Sequence, residues 1–120
     1  MGNADLFFEL QSKLALLYRV IAVDLPGHGK SSNYGYVHSM ELMADVIHAI
    51  AREHSLRRYV IIGHSMGGYV ALSYFNKYPQ CVAGLFLLNS TSKADTEARK
   101  QDRMRALEIL HSNKTVYTKQ

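Results

Sequence analysis

The stretch YVIIGHSMGG, residues 59–68, passes from an apolar run directly into a serine flanked by glycines. An apolar, β-branched run that ends at a glycine is typical of a buried strand followed by a tight turn. Helix-compatible residues follow over 69–78 and stop at Pro79, because proline cannot continue a helix. The pattern therefore predicts a strand, a sharp turn at Ser65 and a helix.

Two further apolar runs flank this unit, residues 19–25 before it and residues 82–88 after it. Both have the length and composition of buried strands. One helix is predicted before the first run and others between the runs, with Asn3 and Ser39 as N-caps of the first two. A charged final helix is predicted over residues 94–112. The first helix is expected to bury one apolar stripe, formed by Leu6, Phe7, Leu10, Leu14 and Leu17.

The resulting order is helix, strand, helix, strand, helix, strand, helix. Strict alternation with apolar strands predicts an α/β fold, in which a parallel sheet of about three strands is flanked by helices. Ligands bind such sheets beyond the carboxyl ends of the strands. The turns after Leu25 and after Ile62 lie at those ends, so the sequence predicts a site there.

Composition and charge argue against several functional classes. The net charge of +4 is concentrated in residues 93–120, where 7 basic and 4 acidic side chains are interspersed. That mixture is typical of a solvated helix and not of a nucleic-acid surface. No apolar run reaches the roughly 20 residues that cross a bilayer, and no signal-peptide pattern is found. A cytoplasmic protein without nucleic-acid or membrane partners is expected.

Metal and cofactor sites are not expected either. Cys81 is the only cysteine, and the six histidines are scattered along the chain, so neither a disulfide nor a zinc cluster is indicated. Glycines in residues 27–32 imitate phosphate- and dinucleotide-binding loops, but their spacing fits neither motif. His28 in this segment is expected to bond the backbone or border a pocket.

Ser65 is the candidate for chemistry. A tight turn from strand to helix pushes its hydroxyl out of the sheet edge, and the helix that follows supplies backbone N–H groups and positive potential. The Met66 N–H is then placed to hold an oxyanion that develops next to Ser65. The alternative is a serine in an ordinary glycine-rich turn.

With these motifs, residues 19–90 resemble the central part of an α/β-hydrolase. Residues 20–31, VIAVDLPGHGKS, resemble the fourth strand and following loop of that family, and residues 61–68 resemble its nucleophile elbow. Residues 94–112 resemble the start of the helical lid that many members insert. The resemblance divides the chain into a partial core, 1–92, and the beginning of a lid, 93–120.

The resemblance implies a role for each residue of the turn. Ser65 would be the nucleophile, the Met66 N–H would be an oxyanion donor, and His64 would flank the pocket and contact substrate. Ester, thioester, lactone or carbon–carbon bond hydrolysis all remain open, with a small ester or related carbonyl compound as the expected substrate.

The family also needs a carboxylate and a histidine after the serine. Asp95, Asp102 and His111 are candidates by residue type alone. The remaining strands of the family and its acid and histidine are expected to lie outside this chain, which would make it an inactive fragment. A non-catalytic binding module that keeps the fold is the second hypothesis, and the oligomeric state stays open.

Overall fold

The structure is a computed structural model that describes residues 4–31 and 38–112. Its helices are α1 (Phe8–Leu14), α2 (Met40–Glu53), α3 (Met66–Lys77) and α4 (Glu97–Ser112), and its strands are β1 (Tyr59–His64) and β2 (Val82–Leu88). Short 3-10 turns at Ala4–Phe7 and Pro79–Cys81 precede α1 and β2. The predicted cap Asn3 lies outside the described residues.

The two strands form a parallel sheet in which His64 lies opposite Leu88. Helix α3 connects them and packs on the sheet, and α2 packs on α3. The predicted strands at 59–62 and 82–88 and the parallel sheet flanked by helices are therefore confirmed. Parallel neighbours require such a crossover, because their carboxyl ends lie at the same edge.

The predicted strand at 19–25 is wrong. Residues 19–25 form no ladder with any strand of the described chain. Among the described residues the sheet therefore has two strands instead of about three. The segment is fixed through its ends, since the Arg19 guanidinium donates to the His54 carbonyl at 3.1 Å and Asp24 accepts from the Ala4 N–H at 2.7 Å. An apolar run predicts extended, buried backbone, but a strand also needs a neighbour.

The expected burial of the first helix is also wrong. Helix α1 ends at Leu14, and no residue of it is buried. Within the predicted stripe Leu6 is 57% and Leu17 is 81% exposed. Helical spacing identifies the apolar face, but it does not supply a surface to cover that face.

Helix α2 begins where the sequence predicts. The Ser39 hydroxyl accepts a hydrogen bond from the Leu42 N–H at 3.1 Å, which satisfies one of the free N–H groups of the first turn. The small core lies between α2, α3 and the start of the strands and contains Ala44, Tyr74 and Val82. No helix in the described part of the chain is long and apolar enough to cross a membrane.

Tyr74 joins three elements through its hydroxyl. The ring is fully buried on α3, and its hydroxyl bonds the Tyr59 hydroxyl on β1 and His48 Nδ1 on α2, the latter at 2.9 Å. The His48 ring stacks on Tyr78 with the ring centroids 3.9 Å apart. The contact surface between α2 and α3 therefore contains a connected polar network.

Asp45 closes this network at the surface. Its carboxylate accepts from Lys77 Nζ at 2.5 Å and from the Tyr78 hydroxyl at 2.6 Å. The hydrogen bond from Lys77, followed by that from Tyr78, lowers the pKa of Asp45, and the same pairing raises the pKa of Lys77. The network thus begins at a buried hydroxyl and ends in an exposed ion pair.

Tyr74→Phe is expected to lower the free energy of unfolding by about 1–3 kcal/mol, because partly buried His48 and Tyr59 would each lose a hydrogen-bond partner. Tyr69→Phe is the matched control on the same helix. Its hydroxyl accepts a long hydrogen bond, 3.4 Å, from exposed Arg103, so a change below about 0.5 kcal/mol is expected. Urea unfolding followed by circular dichroism measures both, and equal losses would contradict the role of Tyr74.

The pH dependence of unfolding in alkaline solution gives a second test of the hydrogen-bonded pair Tyr59 and Tyr74. Burial raises the pKa of both Tyr59 and Tyr74 above the ordinary value of 10.0. Above about pH 10 the unfolded chain releases these protons while the folded chain retains them. The unfolded state then binds fewer protons, so stability falls as pH rises. This fall should be shallower in Tyr74→Phe than in the wild type.

Candidate active site

Ser65 is the single residue between β1 and α3. Its backbone has φ 51° and ψ −116°, a conformation that costs a non-glycine residue about 1–3 kcal/mol. Two hydrogen bonds hold it: the Ser65 N–H donates to the Leu88 carbonyl at 2.9 Å, and the Ser65 carbonyl accepts from the Gly68 N–H at 3.0 Å. The side chain is exposed. The fold thus presents this hydroxyl to solvent on a strained main chain.

Lack of space for a Cβ explains two of the three glycines around Ser65. A Cβ on Gly63 would lie 2.4 Å from the Gly67 carbonyl oxygen, and a Cβ on Gly68 would lie 2.2 Å from Ser90 Oγ. A Cβ on Gly67 would meet nothing within 4 Å. Gly63 therefore has no room for a side chain next to the start of α3 and Gly68 has none next to Ser90, whereas Gly67 has room for one.

Met66 is the first residue of α3. The first N–H groups of a helix have no partner within it and carry the positive end of the helix dipole. The Ser65 side chain does not cap these groups. The Met66 N–H therefore lies next to the exposed serine in sequence, at the N-terminal end of α3, where the helix dipole favours negative charge.

His64 is the last residue of β1, and its ring contacts the side chains of Asn89 and Phe7. Asn89, which follows β2, bonds it with 3.2 Å between Asn89 Nδ2 and His64 Nε2. The Phe7 ring meets it edge-on, with centroids 6.4 Å apart and planes at 84°. The ring is therefore held from β2 on one side and contacted by the N-terminal segment on the other.

The two candidate acids are each paired with an arginine of the final segment. Asp95 is paired with Arg103, with 2.9 Å between Oδ2 and Nε, and Asp102 lies 3.9 Å from Arg105 Nη1. His111 lies outside the side chains that the structure describes. Among those that it does describe, no histidine or carboxylate bonds the Ser65 hydroxyl, and no group of three metal-ligating side chains occurs.

The loop after residue 25 is built around Asp24. Its carboxylate accepts from the Lys30 N–H at 2.9 Å and from the Ala4 N–H, and these bonds lower the pKa of Asp24, that from Lys30 most. Gly29, at φ 52°, leaves no room for a Cβ beside this carboxylate. His28 Nδ1 bonds the Pro26 carbonyl at 3.1 Å, which confirms the backbone contact expected of it.

An open pocket lies one helical turn beyond the Ser65 turn. It has a volume of about 510 Å³ and lies between α3, the segment after β2 and α4, with Tyr69, Leu72, Thr91 and Arg103 among its lining residues. Tyr69 follows Ser65 by four residues, about 6 Å along a helix. Ser65 does not line the pocket itself.

Comparison with known proteins places this geometry in a family. The sequence profile described as the alpha/beta hydrolase fold matches residues 1–112. The chain belongs to the α/β-hydrolase family. As an α/β-hydrolase it is 30% identical to a putative carbamate hydrolase, RutD, of Yersinia enterocolitica over 123 aligned residues, which cover 99% of this chain and 44% of that protein.

Other α/β-hydrolases agree with the assignment. A pimeloyl-[acyl-carrier protein] methyl ester esterase of Yersinia pseudotuberculosis is 35% identical over 89 residues, 74% of this chain and 33% of the relative. A solved esterase from Thermogutta terrifontis superimposes with a TM-score of 0.85 at 31% identity, covering 97% of this chain and 43% of the other. This α/β-hydrolase chain therefore spans less than half the length of the relatives that it matches.

Two residues of the site could not be assigned from the sequence of this α/β-hydrolase. Asn89 contacts His64, and Ser90 lies against Gly68 with a buried hydroxyl that has no partner among the described residues. The signal for both was their position directly after an apolar run. Using that signal requires knowing that β2 is the neighbour of β1.

Proposed function

We propose that the protein is a serine hydrolase that acts on a small carboxylic ester or a related carbonyl compound through an acyl-enzyme. The observation that carries the proposal is Ser65 itself, an exposed serine on a strained turn at the start of α3. Strain of this kind persists where the surrounding structure imposes it and is concentrated at functional sites. The hydrolase and esterase relatives support the same chemistry.

In the proposed reaction Ser65 gives its hydroxyl proton to a general base, and Oγ attacks the carbonyl carbon of the substrate; the same proton later passes to the leaving group. The Met66 N–H donates to the oxyanion of the tetrahedral intermediate. Collapse of the intermediate breaks the bond to the leaving alkoxide, which takes up a proton and departs as the alcohol. Water then cleaves the Ser65 ester and releases the acid.

The pocket beyond Tyr69 would receive one end of the substrate, with His64 at the edge of the site. Its volume of about 510 Å³ is in the range of small-molecule sites, and its lining mixes apolar and polar groups. Residues 1–92 would form the core of the enzyme and residues 93–120 the beginning of a lid. A cytoplasmic location belongs to the proposal, and a single cysteine suits a reducing compartment.

The proton relay is expected to come from residues beyond this chain. Asp95 is already paired with Arg103, and a serine without a general base is a weak nucleophile. The same observation favours a second candidate function, a binding module that keeps the fold without turnover. The chain alone is therefore expected to hydrolyse p-nitrophenyl butyrate no faster than its Ser65→Ala variant.

Added imidazole separates the two candidates, because it can substitute for a missing histidine base. With a fluorophosphonate probe and imidazole, intact-mass analysis should show one adduct on the wild-type chain, mapped to Ser65, and none on Ser65→Ala. Absence of that adduct under all conditions would overturn the nucleophile assignment and favour a binding module. Rapid labelling without imidazole would instead show that this chain contains its own relay.

A further inference from the structure

Asn89 links the end of β2 to the residue that precedes Ser65. We propose that Asn89 is a positioning residue of this site, which donates a hydrogen bond to His64 Nε2, fixes the ring proton on Nδ1 and keeps the imidazole from acting as the base for Ser65. The functional meaning of the inference rests on the proposed hydrolase function, but the state of the ring does not.

The geometry begins with the register of the sheet. His64 lies opposite Leu88 at the carboxyl ends of the two parallel strands. Each of the two strands is followed by a residue with positive φ, Ser65 at 51° after β1 and Asn89 at 47° after β2. The turn and the end of β2 are then joined by two bonds, from the Ser65 N–H to the Leu88 carbonyl at 2.9 Å and from Asn89 Nδ2 to His64 Nε2 at 3.2 Å.

The residue type at 89 satisfies two requirements at once. A left-handed backbone is readily adopted only by glycine and, among residues with side chains, by asparagine and aspartate. Glycine has no side chain to bond His64, and the carboxylate of aspartate can only accept a hydrogen bond. Asparagine alone of the three combines this backbone with an N–H donor.

The bond determines what His64 can do. A neutral imidazole has one nitrogen that donates and one that accepts, and the hydrogen bond at one nitrogen sets the role of the other. With the Nε2 lone pair occupied by Asn89, the proton resides on Nδ1. Neither nitrogen of the neutral ring is then free to take the Ser65 proton, so a different base has to serve this serine.

Nitrogen NMR of the histidine-labelled 120-residue chain tests the assignment directly. In mildly alkaline buffer the His64 ring, identified by the signals missing from His64→Gln, is expected to carry its proton on Nδ1. Asn89→Asp replaces the donor by an acceptor of the same shape, so the proton should move to Nε2. Asn89→Gly keeps the backbone conformation without a side chain, and neither tautomer should then be fixed.

A His64 proton on Nε2 in the wild type would overturn the inference, as would a tautomer that is the same in all three chains. The wild-type spectrum alone shows which nitrogen of His64 carries the proton, so the assignment can be tested even if a variant fails to fold. Fluorophosphonate labelling of Ser65 without imidazole tests the positioning role. Asn89→Gly frees His64 Nε2 to accept a proton, so labelling about tenfold faster than in the wild-type chain is expected. Unchanged labelling would refute that role.

The two proposals fail separately. If the wild-type chain is never labelled, the nucleophile assignment of Ser65 is lost, while the NMR result still decides whether Asn89 sets the His64 tautomer. If labelling occurs but the tautomer does not respond to residue 89, the hydrolase proposal stands and Asn89 has no positioning role.

Discussion

Gly63→Ala is expected to lower the free energy of unfolding by about 3 kcal/mol or more, at the upper end of what overpacking costs. The added Cβ would lie 2.4 Å from the Gly67 carbonyl oxygen, 2.7 Å from its carbonyl carbon and 2.8 Å from Gly68 Cα. All three atoms belong to the main chain, so no side-chain rotation can relieve the contact. The strand end and the first turn of α3 would have to separate.

Gly67→Ala is the matched control for this substitution. It adds the same methyl group four residues away, where nothing lies within 4 Å. Because residue 67 is inside α3 and alanine is the better helix former, this variant is expected to match the wild type or gain up to about 1 kcal/mol. Urea unfolding measures both, and similar stabilities of the two variants would show that the turn does not need its close backbone approach.

Gly68→Ala is expected to destabilise the protein by about 1–3 kcal/mol through overpacking against one side chain. The new Cβ would lie 2.2 Å from Ser90 Oγ and 2.5 Å from Ser90 Cβ. Rotating the hydroxyl removes only the first of these contacts. The steric conflict therefore involves both atoms of the Ser90 side chain.

Second-site substitutions at Ser90 test this pairing. Ser90→Gly removes both contacting atoms and should restore most of the lost stability, apart from about 0.5–1 kcal/mol for the flexibility of glycine. Ser90→Ala keeps the Cβ and should restore much less. A double-mutant cycle with each single variant isolates the coupling between the two positions. Additive effects of the two substitutions would contradict a direct contact.

Local sequence signals were sufficient for the elements that surround Ser65. The apolar run into Gly63 and the stop at Pro79 bound β1 and α3, and Ser39 marks the start of α2. Each of these signals depends on a few neighbouring residues. The prediction of a parallel α/β sheet follows from their order and agrees with the structure and with the family.

Features that depend on contacts between residues distant in sequence could not be predicted in this way. Residues 19–25 have the composition of a strand, but a strand is a property of a pair, and no partner for them is present among the described residues. Residue type alone offers Asp95 as a candidate acid, and only the structure shows that Arg103, eight positions away, pairs with its carboxylate. The role of Asn89 depends on the register of β1 and β2, which the sequence does not state.

The elements that form the Ser65 turn are consecutive along the chain. Helix α2, β1, α3 and β2 occupy residues 40–88 without a gap in their order, and α3 contacts α2 and both strands. Contacts between neighbours in sequence form early, because little loop entropy opposes them. During synthesis the turn can therefore be assembled as soon as Ser90 has left the ribosome. The serine would then reach its strained conformation while the residues that follow are still enclosed by the ribosome.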